Sequence, residues 1–353
     1  KFVDAMFDAA PKDPAQITKY VDAAVNADRF SDAINALDPI FKASPSRADL
    51  ADRLAYCQMR AGRFEDGLIT LETLKRVGAN SSDAYAQALG ALILDHQNKP
   101  DASDASMSDA ELNDAFNPGV NTAQASIALR RNKLGTSQSI ANSLLKDQGQ
   151  RTEVNYLLSA LSNHTLNFQQ ARHFFELSVL ADPLNFDMYV EEANSAVKTA
   201  ATAKPDDKTF QYAYAEVMCK LASRAKPDSY QALTALALVN GLQGKAADAY
   251  RYAQAAVDAQ KGSAGAQFAL SACASLYARA VRPRDLPKDD QGRTAYDKAV
   301  QAANRLDQLA VTSNEAAAKI DPTYAGGRSV PTIQEAFEYF SMHGRSPVIA
   351  RPS

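Results

Sequence analysis

The 353-residue chain has no tryptophan, only three cysteines and four histidines, and no excess of basic residues. The lack of Trp in an alanine-rich composition that is 46% hydrophobic favours close-packed helices over a sheet with aromatic anchors. Cys57, Cys219 and Cys273 are odd in number and far apart, which argues against a disulfide framework and predicts small buried hydrophobes. His96, His164, His173 and His343 form no HExxH pattern, and none is paired with cysteine at metal-ligand spacing, so no metal site is expected. Neither GxxxxGK[ST] nor GxSxG occurs. The YAGGRS stretch lacks the phosphate-binding lysine and a preceding strand, and Gly326 and Gly327 read as a flexible link. Glu191 and Glu192 are adjacent, but consecutive helical residues diverge by about 100° and do not form a shared acid–base pair. These absences predict a protein without catalytic machinery or cofactor.

Charge and hydropathy narrow the partners. A formal net charge of −3 gives no basic field to condense on nucleic acid or anionic lipid. Every apolar run is interrupted well before the roughly 20 residues that a membrane span requires. The first residue is Lys1, with Phe2, Met6 and Phe7 already in helical spacing, which predicts removal of something upstream by signal cleavage or truncation. The expectation is an exported bacterial protein, periplasmic or extracellular, with a cytoplasmic one as the alternative.

What the chain has is an internal repeat. In the stretch from Ala15 to Pro45, Ile17, Tyr20, Val21 and Ala24 recur at helical spacing before a break at Ala27, Asp28 and Arg29. A second helix then carries Ala33, Leu37 and Ile40 and ends before Pro45. The next stretch repeats the scheme: Phe30 and Phe64, Ala33 and Gly67, and Leu37 and Leu71 are each 34 residues apart. A small residue is needed where two helices of a pair cross, because bulk there would push their axes beyond about 8–10 Å. One such pair cannot bury its apolar faces alone, so about three or more must stack.

These positions resemble the tetratricopeptide repeat (TPR) family: a small residue where helix A meets helix B, an aromatic just before helix B, and a large apolar residue one turn on. The pattern returns with Phe168, Ala171, Phe175 and Pro183, and again with Gly244, Ala249, Ala253 and Ala256, where Ala246 replaces the aromatic. The resemblance implies an all-α, right-handed helical-hairpin solenoid, a TPR-like superhelix of about seven helix pairs plus a C-terminal capping helix. Residues 1–94 hold N-terminal TPR-like units. Residues 95–119, rich in Asp and broken by Pro100 and Pro118, read as a loop-like acidic insertion. Residues 120–151 form a degenerate helix pair, and 152–320 hold C-terminal units with an insertion near 282–293. Residues 321–353 supply the capping helix, with Pro331 at its start and Gly344 at its stop, and an extended tail docked on this chain or a neighbour.

The resemblance also implies that the A helices line a partner-binding groove, placing Asp22, Asn26, Asp52, Tyr56, Arg60, Tyr156, Asn163 and His164 on it. That set mixes carboxylate, amide, phenol and guanidinium, groups able to satisfy an extended peptide. Thr18, Asp22 and Asp52 depart from the family's carboxylate-clamp pattern, so a basic or neutral segment is the expected ligand. The reading is a non-catalytic scaffold for a protein or peptide partner. The alternative is a subunit of a homo-oligomeric or filamentous assembly that uses the insertions and tail for contacts. A third class, a helical enzyme with a site formed only in three dimensions, ranks below both.

Overall fold

The computed structural model describes residues 14–77, 83–148, 152–286, 289–322 and 330–352. The expectations for Phe2, Met6 and Phe7 and for the Gly326–Gly327 link lie outside these residues. Among the described residues there are seventeen α-helices and no strand. Sixteen of them pair in chain order into eight A/B hairpins. The first five are α1 Pro14–Asn26 with α2 Phe30–Ala43, α3 Ala48–Arg60 with α4 Phe64–Arg76, α5 Ala84–His96 with α6 Pro100–Asp114, α7 Pro118–Arg130 with α8 Leu134–Gln148, and α9 Thr152–His164 with α10 Phe168–Ala181. The last three are α11 Phe186–Thr202 with α12 Pro205–Ala225, α13 Tyr230–Leu242 with α14 Ala246–Ala259, and α15 Ala264–Val281 with α16 Asp290–Ile320. A seventeenth helix, α17, spans Ile333–His343.

The hairpins divide between two compact units, one of Lys1–Asn185 with Ser346–Ser353 and the other of Phe186–Arg345. In the first unit each A-to-B corner carries a residue with left-handed backbone: Asp28, Gly62, Asn98, Asn132 and Leu166, at φ values from 53° to 77°. This residue ends helix A and lets the following N–H fold back. Arg29 N–H donates to Ala24 O, Arg63 N–H to Gln58 O, and Lys99 N–H to Leu94 O, with the same bond at Lys133 and Asn167. The small residues sit at the helix crossings as expected. Ala33 and Ala171 are fully buried, and a Cβ on Gly67 would lie 3.0 Å from Ile93 Cδ1 and 3.6 Å from Ala55 O.

The count is eight hairpins where the sequence suggested about seven. The difference lies at residues 95–119, where the expected loop-like insertion is replaced by helix α6. Pro100 sits at its first turn, where a missing N–H is harmless, and Ser103, Met107 and Ala110 form a buried stripe. Nor are all the acidic residues here solvated. Asp95 is 2% exposed, accepting from Arg130 Nη1 at 3.0 Å and Arg131 Nε at 2.5 Å, while Arg131 Nη1 donates to Asp104 Oδ1 at 2.6 Å. The carboxylates thus tie the third hairpin to the fourth. The break near 282–293 is shorter than expected, since α16 begins at Asp290.

In the second unit, α17 packs across the A helices α13 and α15. A Cβ on Gly241 would lie 2.8 Å from Ile333 Cδ1, so the absent side chain makes room for this helix. Phe268 meets Tyr339 edge-on at 4.8 Å, and Tyr339 Oη donates to Asp321 Oδ2 at 2.5 Å. Thr332 and Glu335 form a reciprocal capping box at its N-terminus. The three cysteines are free and buried.

Candidate functional site

The A helices of the first unit are α1, α3, α5, α7 and α9, and three of them, α1, α3 and α9, carry all eight residues that the resemblance places in a partner-binding groove. Asp22 and Asn26 are exposed on α1, and Asp22 Oδ1 accepts from Arg53 Nη1 at 2.9 Å. Tyr56 is buried and meets Phe30 edge-on at 6.3 Å, while Arg60 lies 5.2 Å above the Phe30 ring and 4.0 Å from Asp28 Oδ1. On α9, Tyr156 is buried, Asn163 is fully enclosed, and His164 is half-buried. Tyr56 and Arg60 therefore serve the packing of the first two hairpins.

Burial sets the electrostatics of this face. It is the first cause holding the Asp52 carboxyl at about 8; the negative charges of Asp83 and Asp49 and a hydrogen bond with Asp83 act in the same direction. It pushes the Tyr56 hydroxyl up to about 12 against the opposing charges of Arg60 and Arg351, and lifts Tyr85 well above its ordinary value.

The same A helices hold an extended stretch of the chain itself. Val348, Ile349 and Ala350 are 3%, 1% and 2% exposed, and Ile349 joins the hydrophobic cluster built from α1 to α7. Tyr85 Oη on α5 donates to Ala350 O at 3.0 Å, and Val348 N–H donates to Ser126 Oγ on α7 at 3.3 Å. Arg351 ends the apolar run among acceptors from hairpins one and five. Its Nη1 donates to Asn26 Oδ1 at 2.6 Å, its Nη2 to Asp182 Oδ2 at 3.5 Å, and its Nε lies 3.9 Å from Glu153 Oε1. Burial disfavours the Arg351 charge, but Tyr56, Glu153 and Asp182 outweigh it and its pKa is raised. Of the eight residues expected in the groove, Asn26 bonds this segment directly and Tyr56 lies within its field. Tyr85, Ser126, Glu153 and Asp182 were missed by sequence reasoning: α5 and α7 bordered the supposed insertion, and Glu153 and Asp182 stand at the start of α9 and the C-cap of α10, away from the positions that the repeat pattern marks.

Polar groups also gather in the second unit. Arg345 Nε and Nη2 donate to Glu191 Oε2 and Oε1 at 2.9 and 3.0 Å, a buried two-point pair. Tyr214 Oη donates to Glu192 Oε1 at 3.0 Å. Among the described residues, no group of three or more His, Cys, Asp or Glu is placed to hold a metal ion. No described helix is long and apolar enough to cross a membrane.

Fold and face together define a helical-hairpin repeat protein. The tetratricopeptide repeat family matches residues 24–93, and the protein is TPR-like. No curated protein matches the chain. Among solved structures, it is similar to a thermophilic TPR protein of Thermus thermophilus, at 16% identity over 59% of this chain and 93% of that one, with a TM-score of 0.47. A TPR protein from Parabacteroides merdae shows 10% identity over 72% and 96%, with a TM-score of 0.48. A human IFIT1 dimer with PPP-AAAA shows 13% identity over 85% and 66%, with a TM-score of 0.47.

Proposed function

We propose that the protein is a non-catalytic interaction scaffold whose first unit holds an extended segment of a protein partner along its A helices. The observation behind this reading is that residues 346–352 already lie extended on that face. A surface that encloses Val348 and Ile349, bonds main-chain groups through Tyr85 and Ser126, and surrounds an arginine with Asn26, Glu153 and Asp182 has the chemistry of a peptide groove. The carboxylates favour a basic or neutral ligand and disfavour an acidic one.

A photo-crosslinking amino acid tests this in the native cell. Placed at Asp22, an exposed position of α1, it is expected to trap a defined partner protein, whereas at Leu112, exposed on the B helix α6, it traps none. Adducts from Leu112 alone would move binding to the B-helix face and overturn the reading. Adducts from Asp22 that consist only of a second copy of this chain would favour the assembly alternative.

A further inference from the structure

We propose that residues 346–352 are a resident, exchangeable ligand of the first unit's A-helix face. The partner that replaces them is a protein segment of matching chemistry: two adjacent branched apolar residues, a small residue, then arginine. This rests on the peptide-groove reading above and specifies its ligand.

The ligand class follows from the positions the segment fills. Val348 and Ile349 enter an enclosed apolar bed, and Ala350 passes where the Tyr85 hydroxyl reaches the backbone carbonyl, a bond that carries no side-chain information. Arg351 supplies direction. Its planar fork meets acceptors on both sides from three separate nitrogens, Asn26 from hairpin one and Glu153 and Asp182 from hairpin five, whereas a lysine would have to reach them all from a single nitrogen. Sequence preference therefore resides in the apolar pair and the arginine.

Exchangeability follows from how the segment is held. Residues 346–352 form neither helix nor ladder, so no secondary structure is lost when they leave. The preceding residue, Arg345, is fixed within the second unit by its two-point pair with Glu191, so release of 346–352 leaves that anchor in place. The Arg351 side chain keeps 36% exposure, which lets water and competing cations reach its contacts. Ordering an extended stretch of seven residues opposes the gain from burying two large side chains. A tethered ligand of this kind lowers the apparent affinity for an outside peptide by the fraction of time the face is open.

The test uses the full chain and a fluorescent synthetic peptide with the sequence of residues 346–352, SPVIARP. Binding is measured by anisotropy to the unaltered chain and to the double variant Ile349→Asp, Arg351→Glu, whose own segment can no longer dock. The variant is expected to bind the probe about tenfold or more tightly than the unaltered chain. Replacing the probe's arginine by glutamate should remove that binding. Should the double variant lose helicity by circular dichroism, Ile349→Ala gives the same comparison, with an expected gain of about threefold or more. Equal binding to altered and unaltered chains would show that the segment does not occupy the probe's site and would overturn exchange. A library of extended heptapeptides separates the remaining failures. If the opened chain binds peptides of other composition but not apolar–apolar–small–Arg ones, the ligand class is wrong and the groove stands. If it binds none, both fail.

Discussion

Asp52 offers a direct test of the electrostatics of the first unit's A-helix face. Its carboxyl, 8% exposed, has a pKa raised from 3.8 to about 8, first by burial and then by the charges of Asp83 and Asp49. Between about pH 4 and pH 8 the folded chain therefore holds more protons at this residue than the unfolded chain does. Stability falls as pH rises through that window, and the loss is complete above the folded value. The linkage ceiling at pH 7 is about 4 kcal/mol; relaxation and water around the charged form reduce the expected cost to about 1–3 kcal/mol. Asp52→Asn keeps the shape and a donor for Asp83 while removing the ionisation. Urea unfolding of both proteins at pH values from about 5 to about 8 should show the asparagine variant gaining relative stability steadily with pH. The difference between the two proteins isolates this residue from the other titrations. Parallel curves across the range would refute a buried, proton-holding carboxyl at this position.

Two further predictions concern the hairpin framework. Asp95→Ala leaves Arg130 and Arg131 facing each other without their shared carboxylate and should destabilise the chain by about 3–5 kcal/mol, read as a lower urea midpoint. An unchanged midpoint would mean that the pair contributes nothing to joining hairpins three and four. Leu166 holds φ at 57° while 63% exposed, so Leu166→Gly should remove backbone strain and raise stability by about 0.5–1 kcal/mol; a loss in thermal unfolding would contradict the strain argument.

The first two hairpins were legible because each position of the repeat is served by one kind of residue: an aromatic as the first residue of helix B in Phe30 and Phe64, a small residue at the crossing in Ala33 and Gly67, and a residue that tolerates left-handed backbone at the corner in Asp28 and Gly62. The third and fourth were obscured by aspartates and prolines that looked like loop chemistry. Pro100 and Pro118 stand in the first turns of helices, where proline is compatible with the fold, and two of the acidic side chains find arginines from the next hairpin. A clue was present in the Asn-Lys pairs at 98–99 and 132–133, spaced by one repeat and placing asparagine, which tolerates left-handed backbone, at both corners.

By itself the sequence determined the hairpin, since spacing of small and apolar residues along a helix fixes which side is buried and the corner residues fix where the chain reverses. These are local relations within one 34-residue period. What lies on the A helices was decided only in three dimensions. Arg351 meets Asn26 across 325 residues and Val348 meets Ser126 across 222, and a short proline-flanked stretch carries no periodicity to announce such contacts. Its place depends on a surface that exists only once five helices from separate repeats have been set side by side.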